Sequence, residues 1–393
     1  MNDGLSVVFV ADVPQDGGAS ACLVELVSGL VSDWGVRCTV LLSSSGPLEE
    51  ALGAAGARVF VTGHRAFLVS RPIATYRVVP KYIVELVRYL FCKRRALRKA
   101  ASFVDFDTVD IVHSNVPRND LGIMLSEKYG VPHVCHLREY SFEDYGCWSY
   151  RRHPADYLSK KSDLLISVSR ACGSAWVEKG ADEHKLRVVY DGVDISGVHP
   201  KTPRGSSTGT VSMVFLGGYN KGKGIDDAVG ALKKLKERGY ENVLLDVFGF
   251  GGQSDVERYR RQARKLGIAE KVTFNSVIQN VSSLLPSYDI GLVCSKSEAF
   301  GRVVIEFLAS GLAVVGADRG SIPELLDNGR YGLLYDKENG PVSLADSLER
   351  LICDERLLRS FQEQGAVRAR EFTVEKNARA IMGLYREITG GQA

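Results

Sequence analysis

Short apolar segments alternate with longer amphipathic segments along almost the whole chain. Runs such as LSVVFV from Leu5 and VSMVFLG from Val211 have the length of strands, and amphipathic helices are expected between them. This alternation is typical of parallel sheets covered by helices on both faces. It predicts thirteen strands, beginning near Leu5, Val36, Ala57, Val109, Val131, Leu164, Leu186, Val211, Asn242, Lys271, Asp289, Leu312 and Tyr331.

The alternation is interrupted once, at residues 199–210, where HPKTPRGSSTGT is rich in Pro, Gly, Ser and Thr. We interpret this segment as a linker between domains. The prediction is therefore an α/β protein of two doubly wound Rossmann-like domains, residues 1–198 and 211–372. No strand follows the last helices, and the segment 373–393 is predicted to be a helix that packs back on the first domain.

The composition fits a globular protein of this size. The chain has 393 residues, of which 45% are hydrophobic and 25% charged, which suffices for two domains of ordinary size. No run approaches the roughly 20 apolar residues that span a bilayer, and the first residues lack the basic start of a signal peptide. We therefore expect a cytoplasmic protein. Eight cysteines without a CxxC pair favour buried thiols over disulfides or zinc ligands.

Two segments have the composition of metal sites but not the placement. In HVCH, strand spacing puts His133 and Cys135 on one face and His136 on the other, which disfavours a shared metal ion. Asp105 and Asp107 precede a predicted strand, whereas the ligand side of a parallel sheet is formed by the loops that follow its strands. We expect no obligatory metal.

The net charge of +3 hides one basic segment. Between residues 71 and 99 nine Lys or Arg accompany only Glu85, a local charge of +8, which leaves 3 − 8 = −5 for the rest of the chain. No nucleic-acid module is recognisable, so nucleic acid is not an expected partner. The apolar residues from Tyr82 to Phe91 repeat at helical spacing beside these charges. One hypothesis is a helix that lies on the inner membrane face; the other is a helix packed on the sheet with solvated charges. The candidates for contact with a membrane, or with an acceptor substrate held near it, are Arg94, Arg95, Arg98, Lys99 and Arg138.

Three glycine turns follow predicted strands. DGGAS contains Gly17 and Gly18, where bare backbone amides at a helix start suit an anion. GGYNKGKG, from Gly217 to Gly224, adds two lysines that suit a diphosphate, and VFGFGG, with Gly249, could receive a nucleobase. Each could also be only a tight turn. None of them gives a full GxGxxG with an acid about 20 residues later, so dinucleotide binding is disfavoured.

The stretch SEAFGRVVIE places Glu298 in a loop after a predicted strand and Glu306 in the helix that follows. Loops at the carboxyl ends of parallel strands are where open α/β sheets bind ligands. The two carboxylates could therefore hold different parts of one hydroxyl-rich ligand. The alternative is that Arg302 and Glu306 form an ordinary i,i+4 pair while Glu298 is solvated.

The region from Ser297 to Tyr335 resembles the nucleotide-sugar site of retaining glycosyltransferase family 4, which has two Rossmann-like domains facing a cleft, the GT-B fold. The resemblance rests on the spacing of the two glutamates, the FG after the first, GLAVV after the helix, and the later GSIPE. It extends along most of the chain through further segments: the GG turn at Gly17, HLRE at His136, SDLLISVS ending at Ser169, YDGVD at Tyr190 and the KG at Lys223.

The resemblance implies a role for each matched residue. Glu298 would contact the hydroxyls of the donor sugar, Glu306 those of the ribose, and His136 would lie against the sugar. The glycine turns and Lys223 would neutralise the diphosphate. Where the family usually has an arginine, this chain has Gly218, so Lys221 or Arg302 would supply that charge. The implied donor-binding set is Gly17, Gly18, Gly217, Gly218, Lys221, Lys223, Gly249, Glu298, Phe300, Gly301, Arg302 and Glu306, and the catalytic set is His136, Glu298 and Lys223.

The resemblance thus implies a retaining, metal-independent transferase without a cofactor. It would move a sugar from a nucleoside diphosphate sugar, with UDP and GDP as candidate nucleotides, to a glycan or lipid-linked oligosaccharide during surface polysaccharide biosynthesis. Two alternatives remain at this point, since fold alone does not decide function. One is a nucleotide-sugar epimerase on the same fold, and the other is a sugar-binding protein without catalysis.

Overall fold

The computed structural model describes residues 4–12, 17–69, 79–140, 148–200, 209–277 and 281–390. Its contacts divide the chain into two units. The first contains Met1–Gly192 and Val374–Ala393, and the second contains Val193–Thr373. Most of the predicted linker, 199–210, lies outside the described residues.

The first unit is built on a parallel sheet in which the described strands follow the order β3-β2-β1-β5-β6-β8-β9. A short antiparallel pair, β4 with β7, lies apart from it. The strands are β1 (Ser6–Ala11), β2 (Arg37–Leu42), β3 (Arg58–Val61), β4 (Leu68–Val69), β5 (Ile111–Ser114), β6 (His133–Leu137), β7 (Trp148–Ser149), β8 (Leu164–Ser167) and β9 (Leu186–Val188). The helices are α1 (Gly18–Trp34), α2 (Pro47–Ala54), α3 (Val79–Phe103), α4 (Leu121–Tyr129), α5 (Pro154–Lys161) and α6 (Arg170–Glu178).

The second unit has a parallel sheet with the described order β12-β11-β10-β13-β14-β15. Its strands are β10 (Val211–Leu216), β11 (Val243–Phe248), β12 (Val272–Asn275), β13 (Ile290–Val293), β14 (Ala313–Ala317) and β15 (Leu333–Tyr335). Its helices are α7 (Ile225–Glu237), α8 (Gln253–Lys265), α9 (Val281–Leu284), α10 (Arg302–Ala309), α11 (Ile322–Leu325), α12 (Gly340–Cys353) and α13 (Glu355–Ala369).

Both faces of the first sheet are buried, as β1 illustrates. Val7 and Phe9 join one hydrophobic cluster while Val8 and Val10 join another, because successive side chains of a strand point to opposite faces. Near-continuous apolar strands are therefore required, which is the pattern seen in the sequence.

The last helix, α14 (Val374–Ile388), belongs to the first unit. Four residues at helical spacing, Ala378, Ile381, Met382 and Tyr385, are buried in the same hydrophobic cluster as the inner face of α1. The two helices approach closely at Gly29, where an added Cβ would lie 3.0 Å from the Cβ of Ala378.

All thirteen predicted strand segments contain a strand of the structure, and the prediction of two Rossmann-like α/β domains is confirmed. The pair β4 and β7 was not predicted, because two-residue strands have no periodicity to detect. The structure divides the chain after Gly192, six residues before the predicted boundary at 198. Val193 already belongs to the second unit, where its N–H donates a hydrogen bond to the carbonyl of Phe372 at 2.9 Å.

Candidate functional site

In the second sheet the strand order reverses between β10 and β13, and the loops after these two strands meet there. The N–H of Lys296 donates to the carbonyl of Gly222 at 2.9 Å. Gly224 has a φ of +75°, and a Cβ at this position would overlap with the carbonyl oxygen of Cys294, so only glycine allows this approach. Such a reversal at the carboxyl ends of the strands is the usual ligand position in open α/β sheets.

Lys223 and Glu298 form the centre of this region. The Nζ of Lys223 lies 2.5 Å from Oε1 of Glu298, and the hydroxyl of Ser295 donates to the same oxygen at 2.7 Å. Lys223 ends a single helical turn whose preceding residue, Asn220, accepts a hydrogen bond from the Lys223 N–H. The structure therefore brings together two residues predicted to act in catalysis, 75 positions apart in the chain.

Helix α10 begins directly beside this pair. Gly301, before its first residue, has a φ of +84° in the left-handed region that favours glycine. Arg302 donates from Nε to Oε1 of Glu306 at 3.0 Å, so the i,i+4 pair considered from the sequence is present. Both side chains are partly exposed, 20% and 28%, and the pair lies in the first turns of the helix, where the helix dipole favours anions. Glu298, by contrast, is not a solvated loop acid.

Several predicted donor-binding residues have structural roles of their own. A Cβ on Gly249 would overlap with the carbonyl oxygen of Gly217, so the close approach of the two strand ends already accounts for this glycine. A Cβ on Gly218 would lie 3.2 Å from the ring of Phe250. The ring of Phe300 is buried and lies 6.1 Å from the ring of Phe372, so its side chain contributes to packing.

A second ion pair, which no sequence pattern predicted, lies next to this region. The Nζ of Lys337 lies 2.6 Å from Oδ2 of Asp227 and 2.7 Å from the carbonyl oxygen of Cys294. The hydroxyl of Tyr335 donates to the same carboxylate at 2.8 Å. Burial raises the pKa of Tyr335, and neighbouring Cys294 and Asp227 raise it further, so this hydroxyl stays protonated. The ion pair ties the loop after β15 to the start of α7 across 110 residues, a separation that no local pattern reveals. Through the carbonyl of Cys294 the same ammonium also holds the end of β13.

In the first sheet the strand order reverses between β1 and β5. Gly17 caps α1, and among the described residues none lies within 4 Å of a Cβ added on Gly17 or Gly18. After β1, Asp12 accepts a hydrogen bond from Nδ2 of Asn119 at 2.6 Å and lies 3.0 Å from Nε2 of His64. These three polar residues were not predicted, although Asp12 directly follows the first strand.

His136 is fully buried on β6 and lies in a row of three side chains. Its Nδ1 is 3.2 Å from Nε2 of His113, whose Nδ1 is 2.6 Å from the hydroxyl of Tyr385. Burial lowers the pKa of both histidines well below the usual value, and the charge of Arg138 lowers it further, so both imidazoles are neutral. His133, on the other side of the strand, has Ser114 and Ser162 hydroxyls 2.9 Å from its two ring nitrogens.

Arg138, predicted on the acceptor or membrane side, lies inside the first domain and not on its surface. This guanidinium is buried, forms an ion pair with Asp191, and donates from Nε to Oδ1 of Asn115 at 3.0 Å. A buried charge requires a partner, and Asp191 supplies it here. Arg94, Arg95 and Arg98, in contrast, are exposed on α3, and Lys99 is half-buried with its Nζ 5.8 Å from the ring centroid of Phe103.

In the ranges that the structure describes, no group of three or more His, Cys, Asp or Glu is arranged to hold a metal ion. No helix within these ranges combines the length and the hydropathy that crossing a bilayer requires.

Comparison with known proteins gives a match for each domain. The model for Glycosyltransferase Family 4 matches residues 16–196, and the model for Glycosyl transferases group 1 matches residues 202–368. An uncharacterized glycosyltransferase of Methanocaldococcus jannaschii is 23% identical over 304 residues, covering 75% of this chain and 80% of the relative. A D-inositol 3-phosphate glycosyltransferase of Corynebacterium jeikeium is 29% identical over 218 residues, 52% of each chain, so this match spans about half of that relative.

Among solved structures, HepE of Anabaena in complex with UDP-glucose is similar along nearly the entire chain. The TM-score is 0.75 at 20% identity, and the similarity covers 98% of this chain and 100% of HepE. At this identity the likeness shows a shared fold of two Rossmann-like domains.

Proposed function

The chain belongs to glycosyltransferase family 4, and on this premise we propose that it transfers a sugar from a nucleoside diphosphate sugar to a glycan or lipid-linked oligosaccharide with retention of configuration. Its two parallel-sheet domains have the GT-B architecture. The proposal includes a reaction without an obligatory metal and a role in surface polysaccharide biosynthesis. A UDP-sugar is the first donor to test, because HepE is complexed with UDP-glucose.

The main support for the proposal is the ion pair between Lys223 and Glu298, which lies where the second sheet reverses its strand order. Breaking a sugar-phosphate bond builds negative charge on the leaving diphosphate, and a fixed ammonium lowers that barrier. In the proposal Lys223 turns to the diphosphate, while Glu298, still held by Ser295, accepts hydrogen bonds from sugar hydroxyls. The diphosphate oxygen released from the sugar receives the proton of the acceptor hydroxyl, so no carboxylate nucleophile is required.

The donor is tested by saturation-transfer NMR of the purified protein against UDP-, GDP- and ADP-sugars. We expect one nucleotide class to bind, and release of that nucleotide in the presence of an acceptor mixture to continue in EDTA. Binding of no nucleoside diphosphate sugar would contradict the proposed function. Loss of turnover in EDTA with recovery in Mg²⁺ or Mn²⁺ would contradict only its metal-independent part.

We propose further that α3 holds the protein at an anionic membrane surface. In the amino-terminal half of this helix five apolar side chains are exposed, with Phe91 at 78% and the others near half: Ile83, Val84, Val87, Leu90 and Phe91. At 3.6 residues per turn they cover about 120° of the helix. The opposite face packs into the domain through Tyr89, Ala96 and Ala100. Contiguous exposed apolar surface of this kind is characteristic of interaction sites.

The positive charges next to this apolar face favour anionic lipid as its partner. The exposed Arg94, Arg95 and Arg98 continue the same face in the next turns, and no acidic partner for them lies within the described part of the chain. Lys93 is not part of this surface, because its Nζ lies 2.8 Å from Oδ2 of Asp120. An apolar stripe beside unpaired arginines fits an interfacial helix on anionic lipid. Such a position would present a lipid-linked acceptor to the enzyme.

Sedimentation with vesicles tests this surface. Replacing Arg94, Arg95 and Arg98 with Gln should lower partitioning onto vesicles with about one third phosphatidylglycerol by roughly a hundredfold, since each basic residue contributes about 1 kcal/mol. Gln at Arg261, Arg264 and Lys265 on α8 is the matched control, with the same change of charge and no expected effect. A Phe91→Trp variant should show a blue shift of its emission on binding. Equal sedimentation of both triple variants, or concentration-dependent dimers abolished by Phe91→Ser, would contradict the membrane role.

A further inference from the structure

Tyr385, His113 and His136 form a row of hydrogen bonds inside the first domain. The hydroxyl of Tyr385 lies 2.6 Å from Nδ1 of His113, and Nε2 of His113 lies 3.2 Å from Nδ1 of His136. Tyr385 comes from α14, 272 positions after His113, where the chain has returned from the second domain. All three side chains are fully buried. Among the described residues Nε2 of His136 has no hydrogen-bond partner.

The number of protons on the three groups determines which group donates in each hydrogen bond of the row. The tyrosine hydroxyl and each neutral imidazole carry one proton, and each of the two hydrogen bonds uses one. If Tyr385 donates to His113 and His113 donates to His136, a single group is left unsatisfied, the Nε2–H of His136. The opposite direction leaves two unsatisfied groups, the buried hydroxyl proton of Tyr385 and the lone pair on Nε2 of His136. Because unpaired buried polar groups cost free energy, the first direction is favoured.

We propose that Tyr385 and His113 are positioning residues that fix His136 in the tautomer with its proton on Nε2, so that this N–H donates a hydrogen bond to the donor sugar. The inference rests on the proposed function, because it requires a sugar next to His136. The remaining N–H of the row is the group with no partner in the described structure. A bound hydroxyl or ring oxygen of the sugar would satisfy it.

The ionisation of the three groups supports this direction. Burial, with the charge of Arg138, lowers the pKa of both histidines, so neither takes a second proton at neutral pH. Burial raises the pKa of Tyr385 well above its usual value, and the nearby Cys38 adds to this effect, so the hydroxyl keeps its proton. Each of the three groups therefore has the single proton that this direction of the row requires.

The tautomer is measured directly on the full-length protein labelled with 15N-histidine. Long-range 1H–15N spectra distinguish the two neutral tautomers, and comparison with His113→Gln and His136→Gln assigns the two residues. We expect both histidines of the wild type to carry the proton on Nε2. A wild-type His136 with its proton on Nδ1 overturns the proposal.

Variants test whether Tyr385 sets this state. In Tyr385→Phe, His113 loses its donor, and we expect mixed or exchange-broadened tautomers of both histidines together with a kcat about tenfold lower at a donor KM changed less than about twofold. Met382→Leu, a volume-conserving change on the same buried helix face, is the matched control and should alter neither the spectra nor kcat. Unchanged histidine spectra in Tyr385→Phe overturn the inference that Tyr385 fixes the tautomer of His136.

A second pair of variants keeps the test decisive where Tyr385→Phe fails to fold. His113→Gln retains an N–H that can donate to His136, whereas His113→Leu does not. We expect His113→Gln to keep most of the wild-type kcat and His113→Leu to lose about tenfold; equal activity of the two overturns the inference. A wild type with the Nε2–H tautomer that binds no nucleoside diphosphate sugar overturns the proposed function. An active transferase whose His136 carries its proton on Nδ1 overturns this inference and leaves the proposed function intact.

Discussion

Replacing Glu298 with Gln should lower kcat by about two to three orders of magnitude, the usual effect of removing one group that acts in the transition state. The carboxylate is held by Ser295 at 2.7 Å and neutralised by Lys223. Glutamine keeps the volume and one acceptor oxygen but removes the charge that holds the sugar hydroxyls. Affinity for the free nucleotide should change little, because only the sugar contacts this side chain in the proposal. Steady-state kinetics and calorimetry with the nucleotide measure the two effects separately.

Glu306→Gln is the matched comparison from the same segment. In the proposal this carboxylate accepts a hydrogen bond from the ribose. Its loss should weaken nucleotide binding by about 1.5 to 3 kcal/mol, the contribution of a hydrogen bond to a charged group. The kcat at saturating donor should be nearly unchanged. A wild-type kcat in Glu298→Gln would reduce Glu298 to a structural partner of Lys223. Wild-type nucleotide affinity in Glu306→Gln would leave Glu306 as the surface partner of Arg302 that the structure shows at 3.0 Å.

Lys223→Gln should lower kcat/KM for the donor by about two to three orders of magnitude, because the leaving diphosphate loses its fixed cation. Lys223→Arg keeps the charge and should recover part of the activity, although the fork of the guanidinium differs in shape from an ammonium. Lys221→Gln, on the same turn but with an exposed side chain, should cost only a few fold, since water screens an exposed charge. Donor titrations of the three variants measure these differences.

Equal losses in Lys221→Gln and Lys223→Gln would contradict the assignment of the diphosphate to Lys223. They would indicate instead that the turn acts through its total charge. Thermal unfolding of Lys223→Gln serves as the stability control, because the substitution leaves Glu298 without its cation. A large decrease in Tm would mean that the loss of activity reports on folding.

The sequence determined the architecture because the architecture follows from local patterns. Apolar runs of strand length, separated by helical segments and turns, are sufficient to place thirteen parallel strands in two sheets. The glycine turns and the glutamates at 298 and 306 were also found from the sequence, because ligands of such folds bind at strand ends. Membership of the family was implied by the spacing of the same residues and is shown by the family models.

The tertiary structure decided which side chains meet. Lys337 with Asp227, Asp12 with His64 and Asn119, and Tyr385 with His113 are separated by 52 to 272 positions, and no periodicity relates such residues. Burial likewise separated two kinds of basic residue that look the same in sequence: Arg138 is enclosed and paired, while Arg94, Arg95 and Arg98 are exposed. Local sequence fixes backbone conformation through short-range sterics and periodicity. Ion pairs, protonation and exposure depend instead on which parts of the folded chain exclude water from one another.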